Sequence, residues 1–174
     1  MAKVKGLKKL NKVVSAQLAP FGITKAKCTS EFAYYPNKES ITFKISEGIE
    51  DEMFNEYIKA RYHYDISPFS FVFSLLHEVG HHKTMNSLSD TIYDFCLSEK
   101  ERIDREMENA DADTAKNLEW QYFGLPDEAL ATEWAVDWCK NHPKKVSKIM
   151  GKSLKALNKF YNKNGLKTES EDKE

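Results

Sequence analysis

Two kinds of apolar spacing follow one another along the chain and predict a mostly helical protein with one small β-hairpin. The runs Phe32–Tyr35 and Ile41–Ile45 are aromatic or β-branched and are joined by a turn-forming segment, residues 36–39, as in a hairpin. Elsewhere apolar residues recur every three or four positions, the spacing of an amphipathic helix. On this spacing we expect helices at about residues 4–18, 50–64, 68–84, 127–140 and 146–162.

The acidic segment between residues 86 and 123 has a less clear pattern. Residues 91–95 predict a short helix or a turn, and Ser98–Glu101 has the form of a capping box that opens a longer helix. The apolar stripe that follows is thin. A lid, an arm and an ordinary solvated helix are therefore all consistent with this segment.

Length and charge restrict the class of protein. With 174 residues, 41% of them hydrophobic and 30% charged, the chain fits one soluble α+β domain. We expect this domain, with its small antiparallel hairpin beside the central helix, to cover residues 1–167 and to precede a disordered charged tail at 168–174. The net charge of -1 excludes a globally basic nucleic-acid binder. Locally, however, residues 144–167 hold eight lysines and no acidic residue.

Cysteines and apolar runs indicate the compartment. The three cysteines form no C-x-x-C pair, so we expect free thiols and a reducing environment. No run reaches the roughly 18 apolar residues that span a membrane, and the first 22 residues lack a secretory apolar core. The expected location is the cytoplasm, with no membrane partner.

The strongest chemical signal is the pattern H-E-x-x-H formed by His77, Glu78 and His81. Residues four apart lie on one face of a helix, so both imidazoles can bind one metal ion. Glu78 follows the first histidine and can reach a water on that metal. Since the motif ends an apolar helix, we interpret it as a zinc site.

A catalytic zinc needs a third protein ligand, and we expect Glu133 to supply it. Glu133 and Asp137 fall on the predicted inward face of their helix, together with Trp134 and Trp138, and carboxylates buried there need partners. Asp137 would accept the second ring N–H of a ligating histidine. The other candidate ligands are Glu128, Glu106, Glu119, Asp111, His142 and His82.

His77-Glu78-x-Gly80-His81 followed by Glu133-x-x-x-Asp137 resembles the gluzincin metallopeptidases, and among them the ImmA/IrrE family. The family pattern is H-E-x-G-H and a later E-x-x-A-[N/D] helix. The resemblance covers roughly residues 30–142 and implies a cytoplasmic zincin-like peptidase, often carried by phages or mobile elements, that acts on regulatory proteins. The chain departs from the pattern in two ways: its spacer before Glu133 is long, and Val136 stands where alanine is usual.

The expected reaction is hydrolysis of a peptide bond in a peptide or protein substrate. His77, His81 and Glu133 would hold Zn²⁺, which activates a water, and Glu78 would act as general base. The oxyanion would be stabilised by Tyr93, Tyr122, Tyr161 or His142.

Two alternatives stay open at this stage. One is a non-catalytic zinc-binding module whose lysine-rich C-terminal helix binds nucleic acid or an acidic protein. The other is a metal-dependent hydrolase that acts on a substrate other than peptide. The sequence does not indicate an oligomeric state.

Overall fold

The computed structural model describes residues 6–45 and 49–164, with residues 49–51 in backbone only. The chain forms two compact units. Unit 1 comprises Met1–Ile45 and His142–Glu174, and unit 2 comprises Ser46–Asn141. The predicted α+β class, mostly helical with a small sheet, is confirmed. The predicted single domain over residues 1–167 stays a prediction, and the predicted tail at 168–174 lies outside the described residues.

Five helices within the described ranges lie close to the positions that hydrophobic spacing predicts, and two more occupy the segment between residues 86 and 123, where the pattern was unclear. They are α1 Leu7–Leu18, α2 Ile49–Tyr62, α3 Ser70–Thr84, α4 Asp90–Met107, α5 Ala112–Phe123, α6 Pro126–Asn141 and α7 Pro143–Asn164. Helix α4 is one continuous helix, so the predicted start at Ser98 is wrong. The cap is Ser89, whose side chain accepts a hydrogen bond from the Ile92 backbone N–H.

Unit 1 holds the sheet, formed by β1 Lys25–Cys28, β2 Ala33–Tyr35 and β3 Ser40–Phe43. The strands β2 and β3 pair antiparallel, which confirms the hairpin. Strand β1 pairs parallel to β3 and was not predicted, because Ala26 is its one buried residue. Helix α1 packs against both β1 and α7 through its buried face, formed by Leu10, Val14 and Leu18.

Unit 2 is built around the packing of α3 against α6. Nine consecutive residues of α3, Val72–Gly80, are buried. A helix that is covered on nearly all sides needs apolar residues on nearly all sides, and α3 has them. Helix α4 packs against α5 and α6, and α2 packs against α5. His77 and Glu78 therefore lie within the buried run of α3, and His81 directly follows it.

Among the helices of the described residues, none is both long enough and apolar enough to cross a bilayer.

Candidate metal centre

The two motif histidines meet at the C-terminal half of α3. His77 and His81 are one helical turn apart, and their Nε2 atoms lie 3.2 Å from each other. His77 is 7% exposed and His81 is partly buried. Two imidazole nitrogens this close can bind the same metal ion, as the H-E-x-x-H pattern predicts.

Helix α6 brings a carboxylate close to these two nitrogens. Oε2 of Glu128 lies 3.0 Å from Nε2 of His77 and 3.4 Å from Nε2 of His81. Glu128 is 5% exposed. In the part of the chain that the structure describes, His77, His81 and Glu128 form the group of side chains that could hold a metal ion.

A glycine allows the two helices to approach closely enough for this. A Cβ at Gly80 would lie 2.3 Å from the carbonyl oxygen of Ala131 in α6. Real Cβ atoms do not come so close to backbone, so a larger residue at position 80 requires the helices to separate. The glycine inside the motif is therefore explained by backbone packing.

Thr132 orients the first histidine. Its Oγ1 lies 3.1 Å from Nδ1 of His77, and Thr132 is fully buried. When Nδ1 carries the proton and donates it to this hydroxyl, the lone pair of Nε2 points toward His81 and Glu128. A partner of this kind fixes the ring and the tautomer of a metal-binding histidine.

A buried cation from α4 contacts the other carboxylate oxygen. Nζ of Lys100 lies 2.5 Å from Oε1 of Glu128 and 2.6 Å from Oδ2 of Asp127. The same ammonium group lies 5.1 Å from the centre of the Tyr122 ring. Glu128 thus directs Oε2 at the histidines while Oε1 is held by Lys100, an arrangement that favours binding of a metal through one oxygen.

The charges of the site shift the pKa values of its members. Burial would raise the pKa of Glu128, but the adjacent His81 and His77 hold it well below its usual range. Burial also opposes the charge of Lys100, but Glu128 and Asp127 raise its pKa. Glu128 and Lys100 are therefore both charged at neutral pH.

Tyr122 lies next to these groups and stays protonated. Its pKa is raised by burial first, and then by the charges of Glu128, Glu78 and Asp127, against the opposing effect of Lys100. Glu78 itself is 6% exposed.

The structure does not bring Glu133 and Asp137 to the histidines, so the predicted inward face of α6 is wrong. Both are exposed. Glu133 is five residues after Glu128, about 140° around the helix. Its charge acts instead on Tyr62, where burial, Tyr57 and Glu133 together raise the pKa to about 12. Thr132 occupies the histidine-orienting position predicted for Asp137.

The cause of this error is the size of the residues that face α3. The prediction assigned the large Leu130, Trp134 and Trp138 to the inside. However, two helices that approach through Gly80 need small partners, and the buried side of α6 carries Ala131, Thr132, Ala135, Val136 and Cys139. The rings of Trp134 and Trp138 stack on each other at 6.3 Å on another side of the helix.

The remaining candidates have other positions. Glu106 pairs with Arg102, and Asp111 caps α5 through a hydrogen bond from the Thr114 backbone N–H. Glu119 and His82 are not members of the cluster. Of the four candidate oxyanion stabilisers, Tyr122 lies beside the cluster, Tyr93 is 39% exposed, and Tyr161 and His142 belong to unit 1.

The sequence contained one signal that would have selected Glu128. Glu128-x-x-Ala131 fits the E-x-x-A part of the motif that the resemblance uses, whereas Glu133 is followed by Val136 at that position. Thr132 then stands at the place of the asparagine or aspartate. Comparison of the chain with models of protein families, with curated proteins and with solved structures found no match in any of the three.

Proposed function

We propose that the protein is a zinc-dependent metallopeptidase in which His77, His81 and Glu128 bind the metal and Glu78 is the general base. The observation that carries this proposal is the convergence of three ligand atoms, from the buried His77 and Glu128 and the partly buried His81, on a helix that also buries Glu78, which is not one of them. A structural zinc site uses four protein ligands, whereas a catalytic one uses three and leaves a position open.

The spacing of the ligand atoms supports zinc. Zinc–nitrogen and zinc–oxygen bonds of about 2.0–2.1 Å at tetrahedral angles place neighbouring ligand atoms about 3.3 Å apart. The three separations are 3.0, 3.2 and 3.4 Å. Two imidazoles and one carboxylate are also a ligand set of catalytic zinc sites.

When bound, zinc supplies Lewis acidity, which lowers the pKa of a water toward neutrality and polarises the carbonyl of a scissile peptide bond. The chain's own groups then handle the protons. The carboxylate of Glu78 accepts the proton of the attacking water and passes it to the leaving nitrogen. The protonated hydroxyl of Tyr122 is the available donor for the carbonyl oxygen as it gains negative charge.

Elemental analysis and a peptide assay on the same preparations test this proposal. We expect about one zinc per chain in the wild type and cleavage of a library of fluorescence-quenched peptides. The Glu78→Gln protein should keep its zinc and lose cleavage, and the His81→Ala protein should lose both. Wild-type cleavage rates in the Glu78→Gln protein would exclude the proposed general base.

The same assay separates peptidase activity from hydrolysis of another bond. A zinc-loaded wild type that cleaves no peptide, yet hydrolyses an ester or another amide in a Glu78-dependent way, would keep the site and overturn the peptide substrate. A wild type that binds no zinc would overturn the proposal as a whole.

A further inference from the structure

The two units carry opposite charge. Unit 1, residues 1–45 and 142–174, contains 18 lysines, no arginine and six acidic residues, a net charge of +12. Unit 2, residues 46–141, contains eight lysines or arginines and 21 acidic residues, a net charge of −13. The overall charge of -1 conceals this separation. A composition that excludes a globally basic protein therefore does not exclude a basic unit.

Seven of the lysines of unit 1 form one stripe along α7. They follow one another mostly at intervals of three or four residues, so they cover about 100° of the helix circumference. The lysine stripe consists of Lys144, Lys145, Lys148, Lys152, Lys155, Lys159 and Lys163, and all seven are exposed. The helix contains no acidic residue.

Nothing in the described residues neutralises the lysine stripe. The ion pairs found there are those of Lys100, Arg102, Lys116 and the motif histidines, all in unit 2. From Lys144 to Lys163 the stripe is about 28 Å long. Seven like charges held over this distance repel one another and favour an extended anion as a partner.

We propose that the lysine stripe of α7 binds the phosphate backbone of a nucleic-acid duplex, without sequence preference. A duplex carries one negative charge per roughly 1.7 Å of its axis, so a straight row of lysines meets several phosphates at once. Lysines that contact phosphates provide affinity and no base recognition.

The faces of α7 favour nucleic acid over a lipid surface. A helix that lies on a membrane inserts an apolar face between the lipids. Most apolar residues of α7 are buried, with Val146, Ile149, Leu157 and Phe160 each at most 8% exposed, and Met150 and Leu154 are partly buried. No large apolar side chain of α7 is exposed beside the lysine stripe.

Salt-dependent binding to a fluorescent 20-base-pair DNA duplex tests the proposal. Each phosphate contact contributes about −0.9 to the slope of log K against log salt concentration. The triple variant Lys148→Gln/Lys152→Gln/Lys155→Gln should reduce the magnitude of the slope by about 2 to 3 and weaken binding more than tenfold at low salt. The same three positions changed to arginine should keep both slope and affinity.

The matched control removes the same charge elsewhere. Lys25, Lys38 and Lys59 are exposed and lie outside α7, and their triple change to glutamine should alter the slope by less than 1. If the two glutamine variants lose the same duplex affinity, the effect comes from net charge alone, and the lysine stripe is not a binding site. Absence of duplex binding by the wild type at low salt would overturn it as well.

Two further measurements distinguish this proposal from binding to a lipid surface and from duplex binding that needs the metal cluster. Binding to vesicles of anionic lipid that depends on the lysine stripe, without binding to the duplex, would assign a membrane surface instead. The His81→Ala protein should bind the duplex as the wild type does, because none of the seven lysines belongs to the metal cluster. Loss of duplex binding in that variant would contradict a stripe that acts alone.

Discussion

Gly80 of α3 faces the main chain of Ala131 in α6 at a distance that leaves no space for a methyl group. Along α3 the contact lies between His77 and His81, and along α6 it lies three residues after Glu128. The candidate metal centre therefore depends on a backbone contact between two residues that are not members of it.

The Gly80→Ala variant should lose stability and metal together. A Cβ at 2.3 Å from the Ala131 oxygen forces α3 and α6 apart, which costs about 1–3 kcal/mol or more and moves Glu128 away from the histidines. Urea unfolding and elemental analysis would measure the two effects. Gly151→Ala is the control: its Cβ would meet no atom within 4 Å, so this helical position should gain about 0.8–1 kcal/mol.

Replacement of each of the two glutamates of α6 by alanine should show whether Glu133, predicted from the sequence, or Glu128, indicated by the structure, binds the metal. Glu128→Ala removes a ligand and leaves Lys100 without one of its two carboxylate partners, so zinc content should fall to a small fraction. Glu133→Ala changes an exposed residue and should retain about one zinc per chain. The opposite result would restore Glu133 as the ligand.

Thr132→Val should weaken metal binding without removing a ligand. The valine keeps the shape of the side chain but loses the hydroxyl that lies 3.1 Å from Nδ1 of His77. Loss of such a partner typically lowers metal affinity about 10–100-fold. Titration against a competing chelator gives the affinity, and Thr132→Ser should recover most of it. Unchanged affinity in the valine variant would exclude the proposed role of the hydroxyl.

Lys100→Met should destabilise the protein far more than loss of a surface ion pair. It leaves the carboxylates of Asp127 and Glu128 buried without their cation, at a cost of about 3–5 kcal/mol. Lys116→Met breaks a pair with Glu56 in which both side chains are about half exposed, and should cost less than about 1 kcal/mol. Thermal unfolding of the zinc-free proteins would compare the two, and similar losses would contradict the buried network.

Cys139 should resist alkylation in the folded protein. Burial raises the pKa of its thiol from 9.0 to about 12, and the thiolate is the reactive form. At about pH 8 the thiolate fraction of Cys139 should be about a thousandfold lower than that of a thiol with the ordinary pKa of 9.0. This fraction should rise as the pH approaches 12. Mass spectrometry after a pulse of iodoacetamide should therefore find Cys28, which is less buried, modified before Cys139. In denaturant the two should react at similar rates.

Local pattern predicted the elements well, because helices and hairpins leave periodic signals in neighbouring residues. The H-E-x-x-H pair was predictable for the same reason, since its geometry lies within one turn of one helix. The third member of the cluster was not predictable from hydrophobic periodicity, because the face of α6 that meets α3 is selected by close packing at Gly80. The one sequence signal for Glu128 was its spacing to Ala131. The prediction assigned large apolar residues such as Trp134 to the inside and therefore turned the wrong face of α6 toward α3. Lys100 was beyond prediction, since its partners lie 27 and 28 residues away along the chain.

The division of the chain also bears on how the protein emerges from the ribosome. Unit 1 is assembled from both ends of the sequence, and α1 packs against α7. Domains usually fold in the order in which they are synthesised. Here all of unit 2 has been synthesised when residue 141 has been added, while α1, made earlier, can pack against β1 but must wait for α7 before the rest of its apolar face is covered. A nascent chain stalled before α7 would therefore leave part of the apolar face formed by Leu10, Val14 and Leu18 uncovered, and a chaperone that binds apolar surface would act at this stage.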